Sequence, residues 1–134
     1  QVNSSMPAYV VERIGEALNT VKKSINGSRI HIFGVAYKRD VSDMRESPAL
    51  DVIELLSRRG ATLSYTDPFV PRLEHGSIDL SAVSEDEART GIDCAVICTN
   101  HQMFDYGGIV KHFPIVVDTR NALKGVEAAH VFRL

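Results

Sequence analysis

The sequence contains few cysteines, no long apolar run and no excess of positive charge, and each absence excludes a class of protein. The two cysteines, Cys94 and Cys98, lie in one apolar segment, and in a strand their Cα atoms would be about 13 Å apart. That separation is too large for a disulfide, so we expect both to be small buried hydrophobic side chains. A formal charge of −2 over 134 residues lacks the positive excess typical of proteins that bind nucleic acid or anionic membranes.

These 134 residues also contain no stretch with the pattern of a targeting or membrane-spanning segment. No apolar run approaches the ~18 residues that span a membrane, and the first 26 residues carry acidic side chains and no signal-peptide core. We therefore expect no membrane partner, no nucleic-acid partner and a cytoplasmic location. Because Gln1 directly precedes a helical pattern, we expect the chain to be a piece of a longer protein.

Several well-known binding and catalytic motifs do not occur. No G-x-G-x-x-G follows the first predicted strand, since Gly34 is followed by no glycine until Gly60, so this strand does not open a dinucleotide-binding fingerprint. There is no P-loop and no nucleophile elbow. A phospho-receiver domain would need acidic residues where this chain has GVA at 34–36. The spacing of the histidines does not suit a metal ion, so we expect no metal site.

Predicted strands and helices alternate along the chain. Apolar runs predict strands at 29–33, 62–66, 93–98, 114–117 and 129–133. Helical spacing predicts a helix of about five turns from Pro7 to Ile25, one from the Ser47-Pro48 cap to Gly60, and short ones at 84–90 and 105–112. The stretch 69–80 is predicted to be mostly irregular, with a short extended piece near Ile78.

This alternation, with strands that are apolar on both faces, predicts an α/β fold with helices on both sides of a mostly parallel sheet. We expect a Rossmann-like three-layer sandwich of about five strands in the order 2-1-3-4-5, counted along the chain. Residues 1–27 are predicted to be the end of a helix that connects to another domain, and residues 28–134 the α/β domain itself.

The loop between the first strand and the second helix is unusually long. Connections of this kind usually take about two to six residues. This one takes about twelve and is rich in charged residues. It carries Lys38, Arg39 and Arg45 close to a predicted helix N-terminus, an arrangement that suits a phosphate or pyrophosphate. The alternative is a rigid loop in which these cations pair with the acidic residues beside them: Asp40, Asp43 and Glu46.

Two further residues are candidates for the same ligand. Tyr37 could stack on a base next to the phosphate site, although an aromatic residue here could equally belong to the core or its rim. Arg120 follows another predicted strand, and the carboxyl ends of parallel strands share one edge of the sheet. It could close on the ligand from there, or remain a surface arginine paired with Asp118.

Several stretches spread over nearly the whole chain together form a recognisable pattern. The longest are GVAYKRD at 34–40 and DMRESPA at 43–49. Shorter ones are RGA at 59–61, YTDP at 65–68, DCAV at 93–96, NH at 100–101, FDY at 104–106 and VDTRN at 117–121. These stretches resemble the C-terminal UDP-binding domain of the UDP-glucose/GDP-mannose dehydrogenase family, and MPAYVV at 6–11 is similar to the end of the helix that joins the family's central domain to this one.

The resemblance implies an enzyme that uses NAD to oxidise the C6 hydroxyl of a nucleotide sugar to a carboxylate. The expected role of this reaction is in polysaccharide biosynthesis. The residues in these stretches resemble most those of the UDP-N-acetylglucosamine and UDP-N-acetylmannosamine 6-dehydrogenases. By position in the motifs, Tyr37 and Lys38 would face the uridine diphosphate and Arg120 would help to hold the nucleotide sugar. Arg45 would reach toward the NAD side of the cleft between domains.

The resemblance also implies what these 134 residues lack. In the family an N-terminal Rossmann domain binds most of the NAD, and a central domain carries a nucleophilic cysteine and a catalytic lysine. Neither Cys94 nor Cys98 lies in that catalytic context, so we expect no catalytic residue here and no activity from the chain alone. The expected partners are a UDP-sugar, the missing domains of the same polypeptide and a second copy in a homodimer. The alternative is a non-catalytic nucleotide-binding or assembly module.

Overall fold

A computed structural model describes residues 6–40 and 47–134 of the chain. The helices are α1 (Met6–Asn19), α2 (Pro48–Arg58) and α3 (Tyr106–His112), with a 3-10 turn at Glu87–Arg89. The strands are β1 (Arg29–Phe33), β2 (Thr62–Thr66), β3 (Arg72–His75), β4 (Ile78–Ser81), β5 (Cys94–Ile97), β6 (Val116–Asp118) and β7 (Val131–Arg133).

Five of these strands form a parallel sheet in the order β2-β1-β5-β6-β7. This is the predicted order, with the second strand at the edge beside the first, so the predicted α/β fold is confirmed. A parallel sheet needs crossover connections, and these place α2 between β1 and β2 and α3 between β5 and β6.

Alternate side chains of the central strands face two separate layers of the core. Ile30 and Ile32 face the side that α1 and α2 cover, whereas Phe33 packs on the other side with Ile109 of α3. All three of these β1 side chains are fully buried. The apolar face of α1 is therefore part of the same core as the sheet, and Ile14 of that helix is also fully buried.

The first helix is shorter than the sequence pattern predicts. It ends at Asn19, where the Thr20 hydroxyl donates a hydrogen bond to the Ala17 carbonyl at 2.6 Å and so competes with continued helix. Lys22 then adopts a left-handed conformation with φ 64°, and Val21 is 45% exposed. The prediction of a helix to residue 25 is wrong because the chain turns directly after Asn19. Val21 and Ile25 therefore do not continue the apolar face of the helix.

The stretch predicted to be irregular contains an antiparallel hairpin, β3-β4. Leu73 and Ile78 are buried and join the α1–α2 side of the core. Gly76, with φ 60°, opens the two-residue turn, which is a recognised hairpin signal when glycine comes first. The predicted helix at 84–90 is only the 3-10 turn, although Ser84 and Glu87 do form the reciprocal capping bonds that their spacing indicates.

Among the described residues no helix is long and apolar enough to cross a bilayer. The cytoplasmic location stays a prediction.

Candidate functional site

The candidate site lies at the carboxyl edge of the parallel sheet. Three segments leave the sheet there: residues 34–40 after β1, residues 98–102 after β5 and residues 119–121 after β6. Because β1, β5 and β6 are neighbours in the sheet, these segments meet along one edge. Ligands of open parallel sheets bind at such an edge.

The exits from β1 and β5 approach each other closely at Gly34. This glycine has φ +86°, and a Cβ placed on it would lie 2.4 Å from the carbonyl oxygen of Thr99. Beyond it, the Thr99 hydroxyl donates to the Ala36 carbonyl at 2.6 Å. The Ser47 hydroxyl donates to the Val35 carbonyl at 2.7 Å and accepts from the Ala49 N–H at 3.3 Å as the N-cap of α2. The start of the long loop is therefore fixed to β5 and to α2.

Asp67, directly after β2, anchors the same loop through its buried carboxylate. Its Oδ2 accepts the N–H groups of Val35 at 2.8 Å and Ala36 at 3.1 Å, together with Nε2 of His101 at 2.9 Å. Its Oδ1 accepts the N–H of Phe69 at 2.8 Å. Four donors thus satisfy this buried carboxylate.

His101 links Asp67 to the far end of the described loop. Its Nδ1 lies 2.7 Å from the backbone nitrogen of Asp40, and because a backbone N–H can only donate, Nδ1 is the acceptor and Nε2 carries the proton donated to Asp67. In return, the Asp40 carboxylate accepts the N–H of Gln102 at 2.9 Å. The His101 ring is fully buried.

The side chains between these anchors face solvent. Tyr37 is 40% exposed, and Nζ of the exposed Lys38 lies 5.9 Å from its ring centroid. Lys38 has no carboxylate within 4.0 Å among the described residues, whereas Nε of Arg39 lies 3.6 Å from the Asp40 carboxylate. Internal pairing is thus visible for Arg39. Arg45, predicted to reach NAD, and the acidic residues Asp43 and Glu46 lie outside the described residues.

Arg120 follows β6 at the same edge. Asp118 does not hold its guanidinium, because the Asp118 carboxylate accepts backbone N–H groups instead, from Arg120 itself at 3.0 Å, Ala122 at 3.1 Å and Leu123 at 2.8 Å. Nη1 of Arg120 donates to the Cys98 carbonyl at 3.4 Å. In the described part of the chain, no carboxylate lies within salt-bridge distance of this guanidinium, so the surface pair with Asp118 is not formed.

A cavity of about 190 Å³ adjoins Arg120 and reaches the first residues of α2, Pro48 and Ala49. Its lining is mostly apolar, and it includes Cys98. Burial raises the pKa of the Cys98 thiol to about 12, and the positive charge of Arg120 offsets only part of that effect. Burial also raises the pKa of the Cys94 thiol. Both thiols are free and protonated near neutral pH, so neither has the character of a nucleophile.

Residues 31–125 match the UDP binding domain of the UDP-glucose/GDP-mannose dehydrogenase family. The chain belongs to this family. A UDP-N-acetyl-D-mannosamine dehydrogenase from Methanococcus maripaludis is 39% identical over 132 residues, covering 92% of this chain and 29% of the relative. A UDP-glucose 6-dehydrogenase from Rickettsia felis is 30% identical over 131 residues, covering 90% of this chain and 28% of the relative.

Solved structures of the family agree with the fold. The structure of a UDP-D-ManNAc dehydrogenase from Pyrococcus horikoshii has a TM-score of 0.79 and 29% identity, covering 98% of this chain and 31% of that chain. The present chain therefore spans about three tenths of the length of these family members. The predicted membership in the family is confirmed.

In this family member the structure places Tyr37, Lys38 and Arg120 at one edge of the sheet, as the sequence predicts. Sequence reasoning assigned no role to Asp67 or His101, which hold the segment carrying Tyr37 and Lys38. The available signal was that each polar residue directly follows a strand or its short exit, Asp67 after β2 and His101 after β5.

Proposed function

We propose that this domain binds the UDP part of a nucleotide sugar within an NAD-dependent dehydrogenase that oxidises the sugar C6 hydroxyl to a carboxylate. Residues 28–134 form the UDP-sugar-binding unit, and α1 (Met6–Asn19) with the turn after it leads into this unit from the N-terminal and central domains of the same polypeptide. The names of the relatives, UDP-N-acetyl-D-mannosamine and UDP-glucose dehydrogenases, support a UDP-sugar substrate. The full-length enzyme is a homodimer in this proposal.

One observation carries the proposal: Lys38 and Arg120 lie at the same sheet edge, and neither has a carboxylate partner among the described residues. Since β5 separates β1 from β6, the strand ends from which these two segments leave are about 10 Å apart. Cations on two separate segments of this edge can approach an extended nucleotide diphosphate from two sides. The N-terminus of α2, next to the cavity beside Arg120, adds the positive end of its helix dipole to this edge, while the N–H groups of Ala49 and Leu50 are already bonded to Ser47.

Tyr37 completes the proposed site as an exposed aromatic surface beside Lys38. A half-exposed ring can stack on a uracil base while the ammonium group contacts the diphosphate. The chain's own residues therefore bind and orient the nucleotide, and the reacting groups come from the other domains. Arg45 is proposed, by its place in the family motif, to contact the NAD side of the cleft.

NAD would supply the hydride acceptor of this chemistry, but the backbone donors at the start of the loop do not form a site for its pyrophosphate. Gly34 closes tightly on Thr99, and the N–H groups that follow it donate to Asp67. These donors are therefore not free to cradle a pyrophosphate. We accordingly propose that the N-terminal domain binds most of the NAD.

Calorimetric titration of the chain with UDP tests the proposal directly. Lys38→Ala should raise the dissociation constant about tenfold, because a hydrogen bond to a charged group contributes about 1.5 kcal/mol or more. The matched control is Lys111→Ala, an exposed lysine in the last turn of α3, which should bind UDP as the wild type does. Uridine should bind more weakly than UDP if the phosphates make the main contacts.

Equal heats of UDP binding for the wild type and Lys38→Ala would reject Lys38 as a phosphate ligand, and no binding by the wild type would contradict the proposed function. In the full-length enzyme, Arg120→Ala should raise KM for the UDP-sugar without a matching loss of thermal stability. Arg58→Ala, which removes an exposed arginine paired with Glu54 on α2, is the control. An unchanged KM would make Arg120 a surface residue without a role in binding.

A further inference from the structure

We propose that His101, held by Asp67, is a positioning residue that keeps Tyr37 and Lys38 in place for binding the diphosphate. This inference rests on the proposed function. A buried histidine on the exit from β5 thereby fixes the position of a segment on the exit from β1. The contact joins residues that are 61 positions apart in sequence.

The segment 37–40 has no helix or strand of its own, and its side chains before Asp40 are exposed. Its position is therefore set by the backbone contacts at its two ends. At the start, Asp67 binds the N–H groups of Val35 and Ala36. At the end, His101 binds the N–H of Asp40. Since His101 also donates to Asp67, one hydrogen-bonded pair contacts both ends. Thr99 and Ser47 hold the start as well, whereas the N–H of Asp40 is held by His101.

Asp40 adopts a conformation that needs such support. Its φ of 60° lies in the left-handed region, which residues other than glycine rarely occupy, although aspartate and asparagine tolerate it best. Two contacts hold it there, with His101 as acceptor for its N–H and Gln102 as donor to its carboxylate. Without them the segment would sample other conformations.

The His101 ring cannot easily turn away from this arrangement. It lies between aromatic rings, with centroids 4.9 Å from Phe69 and 5.4 Å from Phe104, and the Tyr106 hydroxyl donates to the backbone carbonyl of His101 at 2.6 Å. Any buried histidine needs a partner for each ring nitrogen, and those of His31 are two hydroxyls of one neighbouring strand. In His101 each ring nitrogen has one specific partner, and the two partners belong to different loops.

Two amide substitutions separate the partners. In His101→Asn, the new side-chain amide can place its oxygen near the position of Nδ1 and still accept from the N–H of Asp40. In His101→Gln, the longer side-chain amide reaches the position of Nε2 and can still donate to Asp67. If positioning of the Asp40 end matters, His101→Gln should raise the UDP dissociation constant about tenfold, because only about a tenth of the molecules would keep the binding-competent loop. His101→Asn should stay within about threefold of wild type.

Calorimetry with UDP and thermal unfolding of the same samples test this directly. His75→Gln, at an exposed position in β3, is the control and should change neither quantity. If His101→Gln and His101→Asn weaken UDP binding equally, in step with equal losses of thermal stability, His101 is structural only and the inference is overturned. UDP binding by His101→Gln at wild-type strength overturns it as well.

A second pair of variants leaves the core untouched. Asp40→Asn and Asp40→Gly remove the same charge, but only the asparagine variant keeps an acceptor for Gln102, whereas the glycine variant frees the backbone. Asp40→Gly should bind UDP at least about threefold more weakly than Asp40→Asn at similar thermal stability. Equal affinities would contradict the inference even if the His101 variants failed to fold.

A measurement without ligand separates failure of this inference from failure of the proposed function. Amide hydrogen exchange at Asp40 should be at least about tenfold faster in His101→Gln than in wild type, while the Ile32 amide in β1 stays protected. If wild type does not bind UDP, the proposed function fails and the exchange result alone decides whether His101 holds the segment. Unchanged hydrogen exchange at the Asp40 amide would overturn the inference that His101 holds the segment.

Discussion

His31 should make the domain markedly less stable in mild acid. It lies in β1, fully buried, with Nδ1 2.7 Å from the Ser64 hydroxyl and Nε2 2.8 Å from the Thr66 hydroxyl. The rings of Phe33 and Phe113 lie on its other sides, with centroids at 4.8 Å and 6.3 Å. Two neutral hydroxyls do not compensate a buried cation, and burial lowers the pKa of His31 from 6.5 to about 4.

The sign and size of the effect follow from these two pKa values. Between pH 6.5 and 4 the unfolded chain binds a proton at His31 that the folded chain does not, so the free energy of unfolding falls as the pH falls. The contribution of the neutral His31 is complete above pH 6.5, is reduced by about 2 kcal/mol at pH 5 and is lost below pH 4, a total of about 3 kcal/mol. Small domains are stable by about 5–15 kcal/mol, so this is a substantial share.

Urea unfolding at pH 7.5 and pH 5.0 measures the effect. The comparison is a triple variant, His31→Leu with Ser64→Ala and Thr66→Val, which removes the titrating ring without leaving buried hydroxyls unpaired. Other groups titrate equally in both proteins, so wild type should lose about 2 kcal/mol more than the triple variant between the two pH values. His75→Gln should behave like wild type. Equal losses in wild type and the triple variant, or an NMR titration of His31 with a midpoint near 6.5, would refute the reasoning.

Two further predictions concern the close approach at the sheet edge and the thiols. Gly34→Ala should lower the free energy of unfolding by about 3 kcal/mol or more and weaken UDP binding, because it adds a clash with the Thr99 carbonyl to a left-handed φ. Gly125→Ala, with φ +84° and open space around its Cβ, should lower it by only about 1–2 kcal/mol, and equal losses in urea unfolding would contradict the clash. Cys94 is buried, as predicted, whereas Cys98 is only half-buried. Both should react with a disulfide reagent at pH 8 more slowly in the native protein than in urea, because burial raises the pKa of Cys98 to about 12 and that of Cys94 also; similar rates would contradict the raised pKa values.

The candidate ligand contacts could be predicted from sequence because each residue follows its own strand. Lys38 and Arg120 follow β1 and β6, and any parallel sheet brings such positions to one edge. The support for those contacts could not be predicted in the same way. Asp67 and His101 also follow strands and so reach this edge, but which polar groups bind one another there depends on the packing of side chains in the folded sheet.

The sequence by itself determined the α/β class, the strand order and the edge where the charged loop emerges. These depend on local apolar patterns and on the handedness and connectivity rules that all parallel sheets obey. Only the tertiary structure decided where α1 stops, that Leu73 and Ile78 belong to a hairpin, and which ring nitrogen of His101 carries its proton. Each of these outcomes depends on partners supplied by distant segments, and such partners meet only once the sheet has formed.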